Sequence, residues 1–356
     1  MTTNSIIKED LEEIYNSDID WKKFYNTTVL ITGASGVLPG YLVETLLYIN
    51  QLVLNANIKI IALVRNRGNA ENRFAAYLDD PHLSFIEQDV SSPLLVKEKV
   101  DYIIHAASQA SPVYYGVDPV GTLKANVIGT VNLLELARKK NVKSFLYFSS
   151  AEVYGDCGDK SNSIEESSYG YLDPISLRSC YGESKRMGEN ICVSFYHQFG
   201  IPTKIVRPFH TYGPGMKLDD GRVYADFVSN ILSNNNIILN SDGSSRRAFC
   251  YLSDATIAFF KVLLDGENGN SYNVGNPSQE FSVLELAELI VRIFPEKGLL
   301  VNSHSQDSKT EYLKNTISSY IPNIEKIKKL NWNPKISAMD GFKRTILSYN
   351  YNNESI

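Results

Sequence analysis

Cysteine is scarce in this chain. The four residues Cys157, Cys180, Cys192 and Cys250 are too few and too scattered for a disulfide scaffold or a zinc site, so no metal centre is expected. Reduced thiols in a cytoplasmic protein are the expected state. No run of about eighteen apolar residues occurs, which excludes a transmembrane helix. The first stretch, "MTTNSIIKEDLEEIYN", is polar and acidic and has no signal-peptide core, so a cytoplasmic location is expected. An excess of basic charge is also missing. Lys and Arg number 35 against 40 Asp and Glu, for a net charge of -5 and a pI near 5.7. That balance argues against nonspecific nucleic-acid binding. There is no internal repeat, no low-complexity tract and no obvious linker.

What is present is ordinary globular composition: 356 residues, 43% hydrophobic and 21% charged. Residues 1–26 read as a helical extension. Strand-like apolar runs then alternate with helical patterns. The strands are "TVLIT" (28–32), "KIIALV" (59–64), "LSFIEQDV" (83–90), "VDYIIHAA" (100–107), "SFLYFSS" (144–150) and "TKIVRPF" (203–209). Helical patterns include "YLVETLLYINQ", the long 121–141 segment and "SKRMGENICVSFYHQFG". Alternation of this kind implies right-handed crossovers and a parallel sheet covered on both faces. The expected fold is a doubly wound α/β sheet of Rossmann type over 27–209. A smaller α/β substrate lobe over 210–347 is expected to interleave with the sheet domain, followed by a tail at 348–356.

"TGASGVLPG" (32–40) lies between the first strand and a helix. Gly33 and Gly36 let the backbone turn tightly and approach a pyrophosphate at the helix N-terminus. Pro39 stands where a third glycine is usual, and the first helical turn tolerates it. An acid at the end of the second strand would bind a ribose 2′-OH. Here the end reads "ALVRNRG", with Arg65 and Arg67. Two guanidiniums suit a 2′-phosphate, so the cofactor is NADP or NAD with a lean to NADP. Asp89, at the end of the third strand, suits either adenine binding or a strand-end cap.

"YGESK" sets Tyr181 and Lys185 four apart on one helix face. An ammonium beside a phenol favours the phenolate, which makes the tyrosine a usable base. Ser150, at the preceding strand end, can hydrogen-bond the same substrate oxygen. With a hydride acceptor, such a group oxidises a secondary alcohol or reduces a ketone.

These motifs, with "HAASQASP", "LKANVIGTVNLLELA", "FSSAEVYGD", "VRPFHTYGPGM", "DDGRVYADFV", "RRAFCYLSD" and "YNVGN", make the chain similar to extended short-chain dehydrogenases/reductases acting on nucleotide sugars. The resemblance runs from about residue 27 to about residue 347. Within that family, "AASQASP", "DVSSPL", "GPGMKLDDGRV" and "RAFCYLSD" look most like UDP-glucuronate decarboxylases. The resemblance implies a triad of Ser150, Tyr181 and Lys185, with Glu152 beside it. It implies cofactor contacts from Gly33, Ser35, Gly36, Val37, Leu38, Arg65, Asp89, Val90, Ala106 and Ala107, besides Tyr181 and Lys185. Ser108, Asn126, His210, Arg222, Val223 and Arg247 would serve the nucleotide-sugar side. Of these, Asn126 would support the lysine, Arg222 and Val223 would lie near the nucleoside, and Arg247 would bind the diphosphate or the sugar. Arg207 reads as structural. The long helix at 121–141 and the one at 181–199 are those that similar enzymes pair into a homodimer.

The family's 4,6-dehydratases use an Asp–Glu pair at the positions of Ala151 and Glu152. Ala151 cannot donate a proton, so dehydration is disfavoured. A 4-keto uronic acid is a β-keto acid and loses CO2 without that proton, so decarboxylation is the main reading. Decarboxylases, however, usually carry Ser or Thr at Ala151. An NADP(H)-dependent 4-ketoreductase or 4-epimerase is the alternative, with His210 or Cys180 as candidate proton donors. A non-catalytic nucleotide-sugar-binding protein stands further behind.

Overall fold

The structure is a computed structural model that describes residues 4–158, 163–303 and 319–353. Its frame is a seven-stranded, wholly parallel sheet. The strands are β1 (Thr28–Thr32), β2 (Lys59–Val64), β3 (Leu83–Glu87), β4 (Tyr102–His105), β5 (Ser144–Phe148), β6 (Thr203–Pro208) and, out of sequence, β10 (Asn270–Val274). Spatial order is β10-β6-β5-β4-β1-β2-β3. The chain therefore winds outward from β1 in one direction and returns to wind in the other. The reversal lies between β1 and β4, where a crevice opens at the carboxyl ends of the strands. β1 and β5 are buried along their whole length, as strands covered on both faces must be.

Six helices of the sheet half can now be placed: α1 (Ser5–Tyr15), α2 (Val37–Leu52), α3 (Arg67–Arg73), α4 (Val113–Val117), α5 (Pro119–Lys140) and α6 (Cys180–Phe199). α5 and α6 lie side by side. β3 and β4 are shorter than the apolar runs suggest. β3 ends at Glu87, where pairing with β2 stops, and Asp89 then closes a tight turn by accepting from the Ser91 N–H at 2.8 Å.

The smaller lobe contains α7 (Val223–Leu232), α9 (Val283–Ile293) and α11 (Ala338–Asn353), whereas α10 (Glu325–Lys328) packs on β10 and buries Ile327 in the sheet-half core. The lobe's strands are β7 (His210–Tyr212), β8 (Ile237–Leu239), β9 (Arg246–Tyr251), β11 (Glu280–Ser282), β12 (Val301–Ser303) and β13 (Ser319–Tyr320). β9 is flanked by β11 and β13 and also pairs with β7. Between these elements the chain re-enters the sheet half. α8 (Leu252–Asp265) packs on it, and β10 adds the edge strand beside β6. The stretch written as a tail from 348 is helical as far as Asn353, and 354–356 lie outside the described residues.

The N-terminal helix is a fastener rather than an appendage. Asn4 caps it by accepting from the Ile6 and Ile7 N–H groups and donates to the Ser348 carbonyl of α11 at 2.7 Å. Leu11 and Ile14 are fully buried. Asp10, also fully buried, accepts from Tyr41 (2.9 Å), Tyr251 (2.8 Å) and Arg344 (3.0 Å). One carboxylate thus joins α1, α2, the end of β9 and α11. Burial pushes its pKa from 3.8 up to about 7, against the opposing pull of Tyr251, Tyr41 and Arg344.

The folded chain therefore holds a proton that the unfolded chain has lost between those two values. Stability from this group is complete below the lower value and is lost as pH rises through the upper one. Asp10→Asn, neutral at every pH, should remove a slope of at most about 1.4 kcal/mol per pH unit. Urea midpoints of both proteins at about pH 5 and about pH 8 test this. The wild type should lose ground to the variant as pH rises, and parallel behaviour would overturn the assignment.

Candidate active site

Gly33 has φ +65°, and a Cβ there would sit 2.8 Å from the Ala107 Cα. Only glycine lets the first turn come this close to the end of β4. Thr32 Oγ1 holds the two strand ends together, bonding His105 Nδ1 at 2.9 Å and accepting from the Ala107 N–H at 3.1 Å. Burial pulls the His105 imidazole down to about 3, so it is neutral here. α2 then starts at Gly36 with no side-chain cap and no acid in its first turn. Its unpaired N–H groups and positive dipole end face the crevice mouth, where Ser35, Gly36, Val37 and Leu38 are accessible. Ala106, Ala107 and Ser108 line the β4 side, and Ser108 Oγ is buried with no hydrogen-bond partner. An uncapped helix start, a glycine-only approach and an orphan hydroxyl together fit a dinucleotide pyrophosphate.

At the adenosine end the predicted residues separate. Arg65 is exposed beside Asp89 and Asp118, whose carboxylates feel its charge. Arg67 is turned away. Its Nε donates to Glu71 at 2.7 Å, and its guanidinium lies over the Phe85 ring. The paired-arginine argument for a 2′-phosphate thus rests on Arg65 alone. Asp89 Oδ1 is occupied by Ser91, the strand-end cap. Val90 is buried, packs against Gly129 of α5 and accepts from Asn132, so its side chain belongs to the core.

The catalytic group assembles where β5 ends and α6 begins. Ser150 caps the single-turn helix Ala151–Tyr154 by accepting from the Glu152 N–H at 3.2 Å, and its hydroxyl acts on the Tyr181 phenol. Burial pushes the Tyr181 phenol up to about 12. Ser150, Arg222 and Arg178 pull it back, and Glu152 adds to the rise. The expected net lowering of this pKa is not found, because burial outweighs the groups that pull it down. Lys185 Nζ donates to the Phe148 carbonyl at 2.6 Å and lies 5.7 Å from the centre of the Tyr181 ring. Burial pulls the lysine from 10.5 down to about 7, and Glu189 supports its charge. Asn126 is buried and donates to Ser184 Oγ at 2.9 Å, one residue before the lysine rather than to it. Ser184 in turn donates to the Tyr181 carbonyl.

Ala151 is buried with Val153, Tyr154, Ile164 and Phe209. Tyr154 is committed elsewhere: its phenol bonds Asn273 and accepts from Arg207 at 2.9 Å. Strand alternation sends the two arginines of "RRAF" to different neighbours. Arg246 pairs with Glu280 (2.5 Å) and Glu285 (3.1 Å), whereas Arg247 reaches its charge to His210. Arg222 pairs with Asp220 at 3.1 Å, donates to the Ala110 carbonyl and is felt at Tyr181, while Val223 follows it at the exposed start of α7. Burial pulls His210 down to about 3, with Arg247 and Arg222 adding. Its imidazole is therefore neutral and is no ready proton donor. Burial raises the Cys180 thiol, which stays protonated.

Three residues escaped the sequence reading. Glu189 lies one helical turn beyond Lys185, a spacing that was open to view. Arg178 lies three before Tyr181, on the turn that enters α6. Tyr115 of α4 stacks on Tyr181 at 5.1 Å and 17°, and no spacing rule reveals that contact.

A parallel doubly wound sheet with this crevice and a Ser/Tyr/Lys group defines a dinucleotide-dependent oxidoreductase. Residues 29–275 match the model of the NAD dependent epimerase/dehydratase family. The chain is 34% identical to UDP-glucuronic acid decarboxylase 6 of Arabidopsis thaliana over 90% of this chain and 88% of that one. It is 32% identical to UDP-glucuronic acid decarboxylase 1 of Xenopus tropicalis, over 89% of this chain and 71% of the relative. Among solved structures it is similar to DesIV, a dTDP-glucose 4,6-dehydratase from Streptomyces venezuelae. That match has a TM-score of 0.77 and 26% identity, over 92% of this chain and 98% of that one. The protein belongs to the NAD-dependent epimerase/dehydratase family and is an enzyme of it.

Tyr181→Phe removes the phenol oxygen expected to act as the base and keeps the ring stacked on Tyr115. Turnover should fall by at least about a hundredfold, with cofactor affinity retained. Turnover near the wild-type level would remove Tyr181 from the role of base.

Proposed function

We propose that the enzyme oxidises C4 of a nucleotide-linked uronic acid, most simply UDP-glucuronate, releases CO2 and returns a C4 hydroxyl to the product. The observation that carries this reading is the pair of neighbours Ala151 and Glu152. Glu152 stands within electrostatic reach of Tyr181, while Ala151 is sealed in an apolar cluster. No acid next to Glu152 can protonate a departing C6 hydroxyl, which dehydration requires. A carboxylate at C6 needs none. The similarity to decarboxylases over most of the chain supports the same reading.

A nicotinamide dinucleotide, when bound, supplies the hydride acceptor and donor at C4. Gly33, Gly36 and the start of α2 would hold its pyrophosphate, and Arg65 would meet a 2′-phosphate if the cofactor is NADP. Tyr181 takes the C4 hydroxyl proton, and Ser150 holds the same oxygen. Lys185, whose charged form Glu189 favours against burial, stabilises the resulting phenolate when protonated. A carbonyl at C4 is β to the C6 carboxylate, so when the C5–C6 bond breaks its electrons pass to the C4 oxygen, beside Ser150 and Tyr181, and C5 then takes a proton from water in place of the lost CO2. The C4 oxygen is where fixed donors are most effective. Arg222 and Arg247, whose charges both act on neutral His210, would hold the diphosphate.

Incubation with UDP-glucuronate, UDP-glucose and 4-keto-6-deoxy sugars, with NAD and NADPH in parallel, tests the reading by product mass. Loss of CO2 from UDP-glucuronate is expected. Gain of two hydrogens would establish the 4-ketoreductase alternative instead, and an unchanged mass with a changed product an epimerase. The mass of the cofactor released on denaturation reports whether Arg65 has selected NADP.

The enzyme is also proposed to be a homodimer. α5 and α6 pack together and carry exposed Val120, Leu123, Ile128, Val131 and Met187. A second copy of the same helix pair would cover them. Light scattering at low micromolar concentration should give twice the chain mass of 39.9 kDa. A monomer would overturn this.

A further inference from the structure

The single-turn helix Leu177–Ser179 enters the catalytic helix and places a guanidinium beside the site. Arg178 Nη2 donates to both Glu152 oxygens, at 3.2 Å and 3.4 Å. Its guanidinium carbon lies 4.9 Å from the centre of the Tyr115 ring, which is itself stacked on Tyr181. The charges of both Arg178 and Glu152 reach the Tyr181 phenol. The arginine therefore stands one aromatic ring away from the base that acts at C4, on the side of Glu152.

Its hydrogen-bonding capacity is only partly used. One nitrogen serves both Glu152 oxygens, and Nε and Nη1 have no acceptor among the described residues. A guanidinium offers five donors in a planar fork shaped for oxyanions. At 22% exposure, with one edge spent on Glu152, the fork can still receive a second carboxylate. The pairing also matters for charge. An isolated Glu152 would repel an anionic sugar, whereas the pair presents little net charge to it.

We propose that Arg178 is the specificity-determining residue that recognises the C6 carboxylate of a nucleotide-linked uronic acid. This rests on the uronate reading above and names the side chain that enforces it. Arg247 and Arg222 then serve the diphosphate, and Arg178 serves the opposite end of the sugar. A neutral hexose carries a hydroxymethyl group at that position and gains little from the fork. The uronate gains charge-assisted hydrogen bonds, which are about twice as strong as neutral ones.

The test is calorimetric titration of the enzyme with its bound cofactor, using UDP-glucuronate, UDP-glucose and UDP, for the wild type, Arg178→Met and Arg178→Lys. The wild type should prefer UDP-glucuronate to UDP-glucose. Arg178→Met should weaken UDP-glucuronate by roughly tenfold to a hundredfold and leave UDP and UDP-glucose within about twofold. Arg178→Lys, which keeps charge but not the fork, should fall between. A preference retained in full by Arg178→Met overturns the assignment. A wild type with no preference overturns the uronate reading itself, and this is seen without any variant. If Arg178→Met also loses UDP, the Arg178→Lys ratio decides: an unchanged ratio overturns the assignment and a reduced one supports it.

Discussion

The catalytic arrangement depends on one buried ion pair. Arg207 of β6 meets Glu189 of α6 through two bonds, at 2.8 Å and 2.6 Å, with both side chains largely out of water. Glu189 also accepts from Ser149, the last residue before the catalytic turn, and its charge sustains Lys185 one helical turn away. Arg207 continues to the Tyr154 phenol and the Glu166 carbonyl, and Tyr154 continues to Asn273 of the edge strand β10. Helix, catalytic turn and two strands therefore share one charge-paired centre. Such a pair adds little net stability when intact, but either charge left alone in the interior is strongly unfavourable. Its value is positional. Ser150 and Lys185 are brought beside Tyr181 because the segments bearing them converge there.

A second constraint closes the lobes. The small lobe is a separate layer with its own apolar cluster, in which Tyr212 stacks on Phe342 at 3.9 Å. Short connections alone would leave it free to swing. The chain instead returns to the sheet as α8 and β10, and α1 fastens α2 to the end of β9 and to α11 through Asp10. Arg222, His210 and Arg247 come from the small lobe, whereas Tyr181 and Glu152 come from the sheet half. Their mutual reach depends on this closure.

The sheet half was legible because its signals are local. Buried parallel strands read as continuous apolar runs, and the glycine turn sits where a strand meets a helix. Gly33, Ser150, Tyr181 and Lys185 could be placed from such signals. The structure adds other partners where a side chain had two physically reasonable ones. Arg67 looked like half of a phosphate site, but Glu71 one helical turn on claims it. Val90 follows Asp89 in sequence, yet the chain turns at that point and buries it against Gly129. Lysine was expected to lower the tyrosine's pKa, but burial raises it, and burial could not be read from spacing.

By itself the sequence determined the parallel winding, the crevice at the strand ends and the chemistry of the residues delivered there. It also determined, through Ala151, which proton donor is missing. These follow from periodicity, glycine geometry and side-chain type, all of which act over a few residues. Only the tertiary structure decided that Tyr115 covers Tyr181, that Arg178 rather than a lobe arginine stands beside Glu152, and that Arg246 is paired with Glu280 and Glu285. Those outcomes depend on which segments pack against each other over long separations, and on how much water the packing removes. Neither quantity is written in any single stretch of the chain.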